Sequence, residues 1–313
     1  MINAGNLIDY AGSGPHCYSS SLFMVLGAEA PAPAVIETLT GSPFGVQLVR
    51  GELPYFDPYG WDPEVGLDAA IELLGWRCDR RAGGTPEEAL DRLRAEAARG
   101  PVLAGPLDMG LLGYQLGPPE GDHYVVVLAV DDDLVLLHDP HGHPFATLPT
   151  AEFVAAWRGE AVEYADEPFV MRTGFVRERE VGELEALRRS LPRAAGWLAG
   201  RDDVPMPAGS LGGEAALERL AAQVEAGLDS GVRDLLAAFG VRLGARRLAD
   251  AAGCLRRLGL AGPSEVTAEL ARAVGALQYP LVTGDDPALA AGLRRLAPGY
   301  RRLLDVLSPG TGR

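Results

Sequence analysis

Asp122-His123-Tyr124-Val125-Val126-Val127-Leu128-Ala129-Val130-Asp131-Asp132-Asp133-Leu134-Val135-Leu136-Leu137-His138-Asp139-Pro140 is the stretch that decides how the first half of this chain folds. Tyr124 to Val130 is almost wholly apolar and rich in valine, three aspartates interrupt it, and Leu134 to Leu137 resumes the apolar run. Short apolar runs on either side of a polar break read as the two strands of a buried hairpin. With the turn centred on Asp132, Asp139 lies opposite Val125 and shares a face with His123, a diagonal neighbour within side-chain reach. A slip of one residue would send the two to opposite faces. The hairpin therefore sets an imidazole beside a carboxylate.

Upstream, Gly12-Ser13-Gly14-Pro15 precedes a segment from His16 to Leu26 that stops at Gly27 and carries Leu22, Phe23 and Leu26 at helical spacing. Cys17 falls in the first turn of that helix. A helix N-terminus is a place where the dipole can lower a thiol pKa, to between roughly 3.5 and 7.5 in general. Cys17, His123 and Asp139 then form a nucleophile, a base and an orienter. The thiolate attacks, the imidazole holds it as an ion pair and returns the proton to the leaving group, and the carboxylate fixes the tautomer. His16 is expected to be solvent-exposed, close enough to tune the thiol.

The remaining pattern is mixed up to about residue 176 and helical after it. Pro63 to Gly75 reads as a helix with Val65, Leu67, Ile71 and Leu74 inward, and Thr85-Pro86-Glu87-Glu88 opens another that carries Leu90, Leu93 and Ala97. Pro101 to Ala104 reads as a strand, Thr150 as the cap of a short helix with Phe153 and Trp157 as an i,i+4 pair, and Phe169 to Phe175 as a closing strand. From about Glu178 the chain is rich in Ala, Leu, Arg and Glu at helical period. The expected fold is α+β over residues 1–176 followed by an all-α domain over 177–313.

Composition narrows the chemistry. The chain has 313 residues, 47% of them hydrophobic and 23% charged, which is ordinary for a globular protein. All 28 basic residues are arginine. Without lysine there is no P-loop cation and no amine for Schiff-base catalysis. A net charge of -15 argues against nucleic acid and anionic membrane as partners. The three cysteines, Cys17, Cys78 and Cys254, have the spacing of neither a disulfide framework nor a CxxC site. No apolar run reaches the roughly 20 residues of a membrane helix, and Met1 to Asn6 lacks the basic and apolar regions of a signal peptide. A cytoplasmic location is expected.

At these residues the chain resembles a known family. An early helix-borne Cys, then His-Tyr opening an apolar strand, then Asp-Pro after the next strand, is similar to papain-like double-glycine leader peptidases. The match is closer to the butirosin biosynthesis protein H family: Gly100-Pro101-Val102-Leu103, Leu107-Asp108-Met109, Gly113-Tyr114, Asp122-His123-Tyr124-Val125-Val126-Val127 and His138-Asp139-Pro140 look like its N-terminal domain. A helical domain of unknown role follows there too. The resemblance implies a papain-like fold and acyl transfer from a carrier-protein thioester, phosphopantetheine-tethered, to an amine or hydroxyl of a small molecule in natural-product biosynthesis. It implies Cys17 as acyl-accepting nucleophile, His123 as base and Asp139 as orienter; Asp108 and Tyr114 match family positions without an assigned role and, with Ser13, are the candidate substrate-binding residues. No cofactor or metal is implied. Papain-like peptidases place a Gln about six residues before the Cys, where this chain has Ala11, so the N–H of Cys17 with Ser13 or Asn6 is the expected oxyanion donor set.

Rival readings are a cysteine peptidase or amidase, an acyl cyclase, and a non-catalytic binding module. The run His138-Asp139-Pro140-His141-Gly142-His143 is rich in metal-binding types, but its spacing is no recognised zinc pattern, and a metal there would take Asp139 from the triad. Arg246-Arg247, Arg256-Arg257, Arg294-Arg295 and Arg301-Arg302 read as solvated helix faces with acidic counterions. Their functional alternative is docking of an acidic acyl carrier protein. Apolar helix faces would serve an oligomer interface as readily as a core.

Overall fold

The structure is a computed structural model that describes residues 8–12, 14–115, 121–201 and 203–308. The chain forms two compact units, one made of Met1–Pro33 and Gly75–Glu180, the other of Ala34–Leu74 and Val181–Arg313. Instead of one cut after residue 176, the chain breaks after Pro33, Leu74 and Glu180.

The first unit is built on a six-stranded antiparallel sheet. In chain order it contains α1 (Cys17–Leu26), β1 (Trp76–Arg81), α2 (Pro86–Ala97), β2 (Val102–Asp108), β3 (Asp122–Val130), β4 (Leu134–Asp139), β5 (His143–Pro149), α3 (Thr150–Trp157) and β6 (Met171–Arg177). The strand order is β1-β6-β2-β3-β4-β5. Alternation along β3 divides its side chains between two apolar clusters. Val125 and Val127 pack with Leu93 of α2 and with Phe153 and Trp157 of α3, while Val126 and Leu128 pack with Met24 of α1. Thr85 makes both halves of a capping box with Glu88, which fixes the start of α2.

The β3–β4 hairpin carries the site, and its register has two parts. Beside the site, Val126 pairs with His138 and Val127 with Leu137; beyond a bulge the pairs become Ala129 with Leu136 and Val130 with Val135. The turn closes from Asp131 N–H to the Leu134 carbonyl at 3.0 Å, with the Asp131 carboxylate accepting from the N–H groups of Asp133 and Leu134. The turn thus sits one step away from centring on Asp132. The extra residue of the bulge restores the register at the His123 end.

Three local expectations are corrected. Thr150 is the first helical residue of α3 rather than its cap, and its hydroxyl donates to the Asp131 carbonyl at 3.2 Å. Val65 is 42% exposed, because Ala70 and Gly66 take the inward positions of that helix beside Leu67 and Ile71. The stretch read as a His-rich loop runs into a further strand, β5, that pairs with β4.

The second unit contains a small antiparallel sheet, Leu53–Tyr55, Gln47–Val49 and Leu211–Gly212, and a set of helices. Gly213–Gly227 packs on Asp286–Leu307, and Val241–Arg257 on Ala261–Gly275. Residues 34–74 belong here through a buried charge cluster: the Arg247 guanidinium donates to Glu37 at 2.8 Å and to Asp57 at 3.0 Å. Arg247 therefore departs from the solvated-face expectation. Arg294 pairs with Glu225 and Glu218, Arg301 with Glu214, and Arg302 with Glu269, all exposed. Among the described residues no helix is long and apolar enough to cross a membrane.

Candidate active site

Helix α1 delivers Cys17 to the end of the β3–β4 hairpin. The chain reaches it through Gly12, whose φ of 144° and close approach to Pro140 leave no room for a side chain: a Cβ there would lie 2.2 Å from the Pro140 carbonyl oxygen. Gly14 N–H donates to the same carbonyl at 3.4 Å. His16 caps the helix in the left-handed region, at φ 98° and ψ 42°, so that Cys17 is the first helical residue. With 2% of its surface exposed, His16 is buried, which overturns the expected exposure. Ser19, Ser20 and Ser21 are small enough for α1 to lie close on the sheet, and Ser21 Oγ donates to the Tyr124 carbonyl at 3.3 Å.

His123, opposite Leu107 at the start of β3, receives the thiol. Its Nε2 lies 2.8 Å from Asp139 Oδ1. That leaves Nδ1 as the ring nitrogen for the hydrogen bond with the Cys17 side chain. Asp139 is fully buried and accepts four hydrogen bonds: on Oδ1 from His123 and from the His141 backbone N–H at 2.7 Å, on Oδ2 from the Tyr114 hydroxyl at 2.9 Å and from the Gln115 amide. Four donors match the lone-pair sites of an ionised carboxylate. Burial alone would neutralise both partners. For Asp139 the His123 charge and these donors outweigh desolvation and hold the carboxyl well below its usual range. For His123 the Asp139 charge and hydrogen bond, with help from Cys17, outweigh desolvation and push the imidazole up to about 10.

The other sequence candidates are placed less directly. Tyr114 joins the cluster, with its hydroxyl committed to Asp139. Asp108 caps the short 3-10 helix Met109–Leu111 by accepting from Gly110 N–H at 2.9 Å. Its carboxylate serves the loop that bears Tyr114 rather than the triad. Ser13 and Asn6, the two expected oxyanion donors, lie outside the described residues. Sequence reading missed Gln115, the His141 backbone N–H and Tyr10, whose hydroxyl donates to the Asp139 backbone carbonyl at 2.8 Å and accepts from Gly142 N–H at 2.9 Å. Gln115 directly follows Gly113-Tyr114, and that adjacency is its signal in the sequence. Nothing in the spacing marked Tyr10.

The three histidines of the 138–143 run point to different tasks. His138 is buried, accepts from Phe145 N–H at Nδ1 and lies 3.3 Å from the Ile8 carbonyl at Nε2, between the rings of Tyr10 and Phe145. His141 stacks edge-on against His123 with ring centres 4.8 Å apart, and His143 does the same with Tyr114 at 5.3 Å. Among the described residues no group of His, Cys, Asp and Glu is gathered to hold a metal.

Fold and site together define an α+β protein with a helix-borne thiol joined to a buried His–Asp pair on an antiparallel hairpin. Residues 207–308, within the helical half, match the family model described as the YobF C-terminal domain. An uncharacterised protein, YobF of Bacillus subtilis (strain 168), is 31% identical over 164 residues, which is 50% of this chain and 53% of that protein. The chain thus spans about half the length of the curated relative it matches.

Proposed function

We propose that the first unit is a papain-like cysteine acyltransferase, and that the alignment of Cys17, His123 and Asp139 is the observation that carries this reading. The Cys17 thiolate attacks the carbonyl of an acyl thioester, forming a new C–S bond, and the expelled thiolate takes the proton held by His123. An amine or hydroxyl of a small molecule then attacks the acyl-enzyme, gives its proton to His123, and releases Cys17. The Cys17 N–H, at the first helical position and without an acceptor inside the helix, donates to the oxyanion. Near-complete burial of all three side chains, 8%, 1% and 0% exposed, supports transfer over hydrolysis because water is kept from the acyl-enzyme.

The donor class is a thioester of the kind borne by phosphopantetheine on an acyl carrier protein, and the acceptor a small amine or alcohol made in natural-product biosynthesis in the cytoplasm. A peptidase or amidase would use the same side chains. Ala11, standing where papain-like peptidases have an oxyanion-binding Gln, favours the transferase. Intact-mass spectrometry of wild type and Cys17→Ala, incubated with a panel of acyl thioesters and chased with amines such as aminoglycosides, tests the reading. A mass increment confined to wild type and discharged by an amine is expected. Discharge by water alone would make the protein a hydrolase, and no increment with an unalkylatable Cys17 would make it a binding module.

A further inference from the structure

We infer that Tyr114 and Gln115 are positioning residues that lock the Asp139 carboxylate to His123; this rests on the proposed cysteine chemistry. Asp139 has no exposed surface, so an ionised carboxylate there needs every lone pair met. One oxygen serves His123 and the His141 N–H. The other accepts from Tyr114 and Gln115. A carboxylate gripped at both oxygens cannot rotate about its Cβ–Cγ bond, so Oδ1 stays on Nε2 and the imidazole keeps Nδ1 on the thiol.

The supporting loop is itself fixed. Asp108 caps its first turn, Met109 N–H donates to the Gly121 carbonyl at 3.0 Å, Leu112 is buried in the sheet core, and Gln115 N–H donates to the Leu112 carbonyl at 2.9 Å. The adjacent pair Tyr114-Gln115 is thereby presented to one oxygen from a single turn. Asp139 also faces Tyr10 from the N-terminal segment, whose hydroxyl goes to the backbone carbonyl rather than to the carboxylate, while His123 faces Cys17 from α1 and His141 from the turn after β4. Of these groups only Tyr114 and Gln115 can be removed without touching the thiol, the base or the main-chain strap.

The sign of the effect follows from the donors. The Tyr114 hydrogen bond lowers the Asp139 pKa, so its loss raises it, and His123 loses its charged partner at a higher pH as the solution is acidified. The full chain is compared as wild type, Tyr114→Phe, Gln115→Met and the double variant, with Tyr164→Phe, whose hydroxyl serves Asp122 at 2.7 Å, as a control. Proton NMR reads the deshielded imidazole N–H shared by His123 and Asp139, assigned by its loss in Asp139→Asn, and iodoacetamide reads Cys17 alkylation. In either single variant the N–H signal is expected to vanish at a pH about one unit higher than in wild type, alkylation to slow about tenfold, and the melting temperature at neutral pH to fall by the equivalent of that one unit, about 1.4 kcal/mol. The double variant exceeds both, and Tyr164→Phe matches wild type. A signal and alkylation rate unchanged in the double variant would overturn the positioning role. Absence of both from wild type would instead overturn the cysteine chemistry on which it rests.

Discussion

His123 Nε2 and Asp139 Oδ1 lie 2.8 Å apart with at most 1% of either side chain exposed, so the charge of each depends on that of the other. His123 is raised from 6.5 to about 10, so its contribution to stability is complete below pH 6.5 and is lost as pH rises toward 10. Asp139 is depressed from 3.8, so its contribution is present above that value and is lost as pH falls through its lower folded one. Asp139→Asn removes the anion and leaves a buried imidazole. Its melting temperature is expected to fall furthest below wild type between pH 3.8 and 6.5, by the equivalent of about 3 kcal/mol, and the gap to narrow toward pH 10. Calorimetry across that range checks it; a gap constant with pH would show that the pair is not ionised.

Gly12 and Gly14 share a φ of 144° but differ in surroundings. A Cβ at Gly12 would strike the Pro140 backbone at 2.2 to 2.7 Å, whereas one at Gly14 meets nothing within 4 Å. Gly14→Ala pays only for backbone strain, about 1 kcal/mol. Gly12→Ala must also push the approach to α1 away from the hairpin, and is expected to cost about 3 kcal/mol and to slow alkylation of Cys17. Chemical denaturation with parallel alkylation rates separates the two; equal losses would mean that contact with Pro140 does not set the position of Cys17.

His138 works in the opposite sense to His123. Burial lowers its pKa from 6.5, and Nδ1 is occupied as an acceptor from Phe145 N–H, so the folded state holds the ring neutral. Below pH 6.5 the unfolded chain takes up a proton that the folded chain refuses. Stability therefore declines as pH falls through 6.5 and levels off below the folded value. His138→Gln, which cannot titrate, is expected to lose stability at pH 7 through poorer packing between Tyr10 and Phe145, yet to show a flatter melting curve below pH 6.5. Parallel acid-side slopes in the two proteins would place the titration elsewhere.

The diagonal placement of His123 and Asp139 was legible because a buried hairpin has few registers that keep its valines inside, and the helix-borne Cys17 because glycine and proline bracket its helix. The turn itself was misplaced by one step, since three consecutive aspartates do not say which will accept the turn's N–H groups, and a bulge leaves no mark in a uniformly apolar strand. Strand β1 was overlooked because Trp76–Arg81 is mostly exposed and charged, with little alternation to read. Val65 was placed inside on hydrophobicity alone, although its neighbours Gly66 and Ala70 permit the closer packing. Two of the four donors to Asp139, Gln115 and Tyr114, stand 24 and 25 positions away in sequence, beyond the reach of the hairpin pattern.

Arg247 shows the same limit for charge. One of a repeated Arg-Arg pattern, it lies 3% exposed with Nε on Glu37, Nη1 on Asp57 and the Phe56 carbonyl, and its guanidinium 5.3 Å from the Trp61 ring centre. Gln47 and Ser42 add donors to Asp57 and Glu37 at 2.7 Å each. Removing the cation leaves two buried carboxylates that it served in common, so Arg247→Ala is expected to cost about 3 to 5 kcal/mol. Arg247→Lys should recover little, because one ammonium cannot reproduce the separate Nε and Nη1 bonds together with the place over the Trp61 ring. Replacing all three, Glu37→Gln and Asp57→Asn with Arg247→Met, removes the charges together and should lie closer to wild type than Arg247→Ala does. Urea unfolding of the four proteins decides it: if the triple variant is the least stable, the cluster is a net source of stability rather than a set of charges that merely require one another.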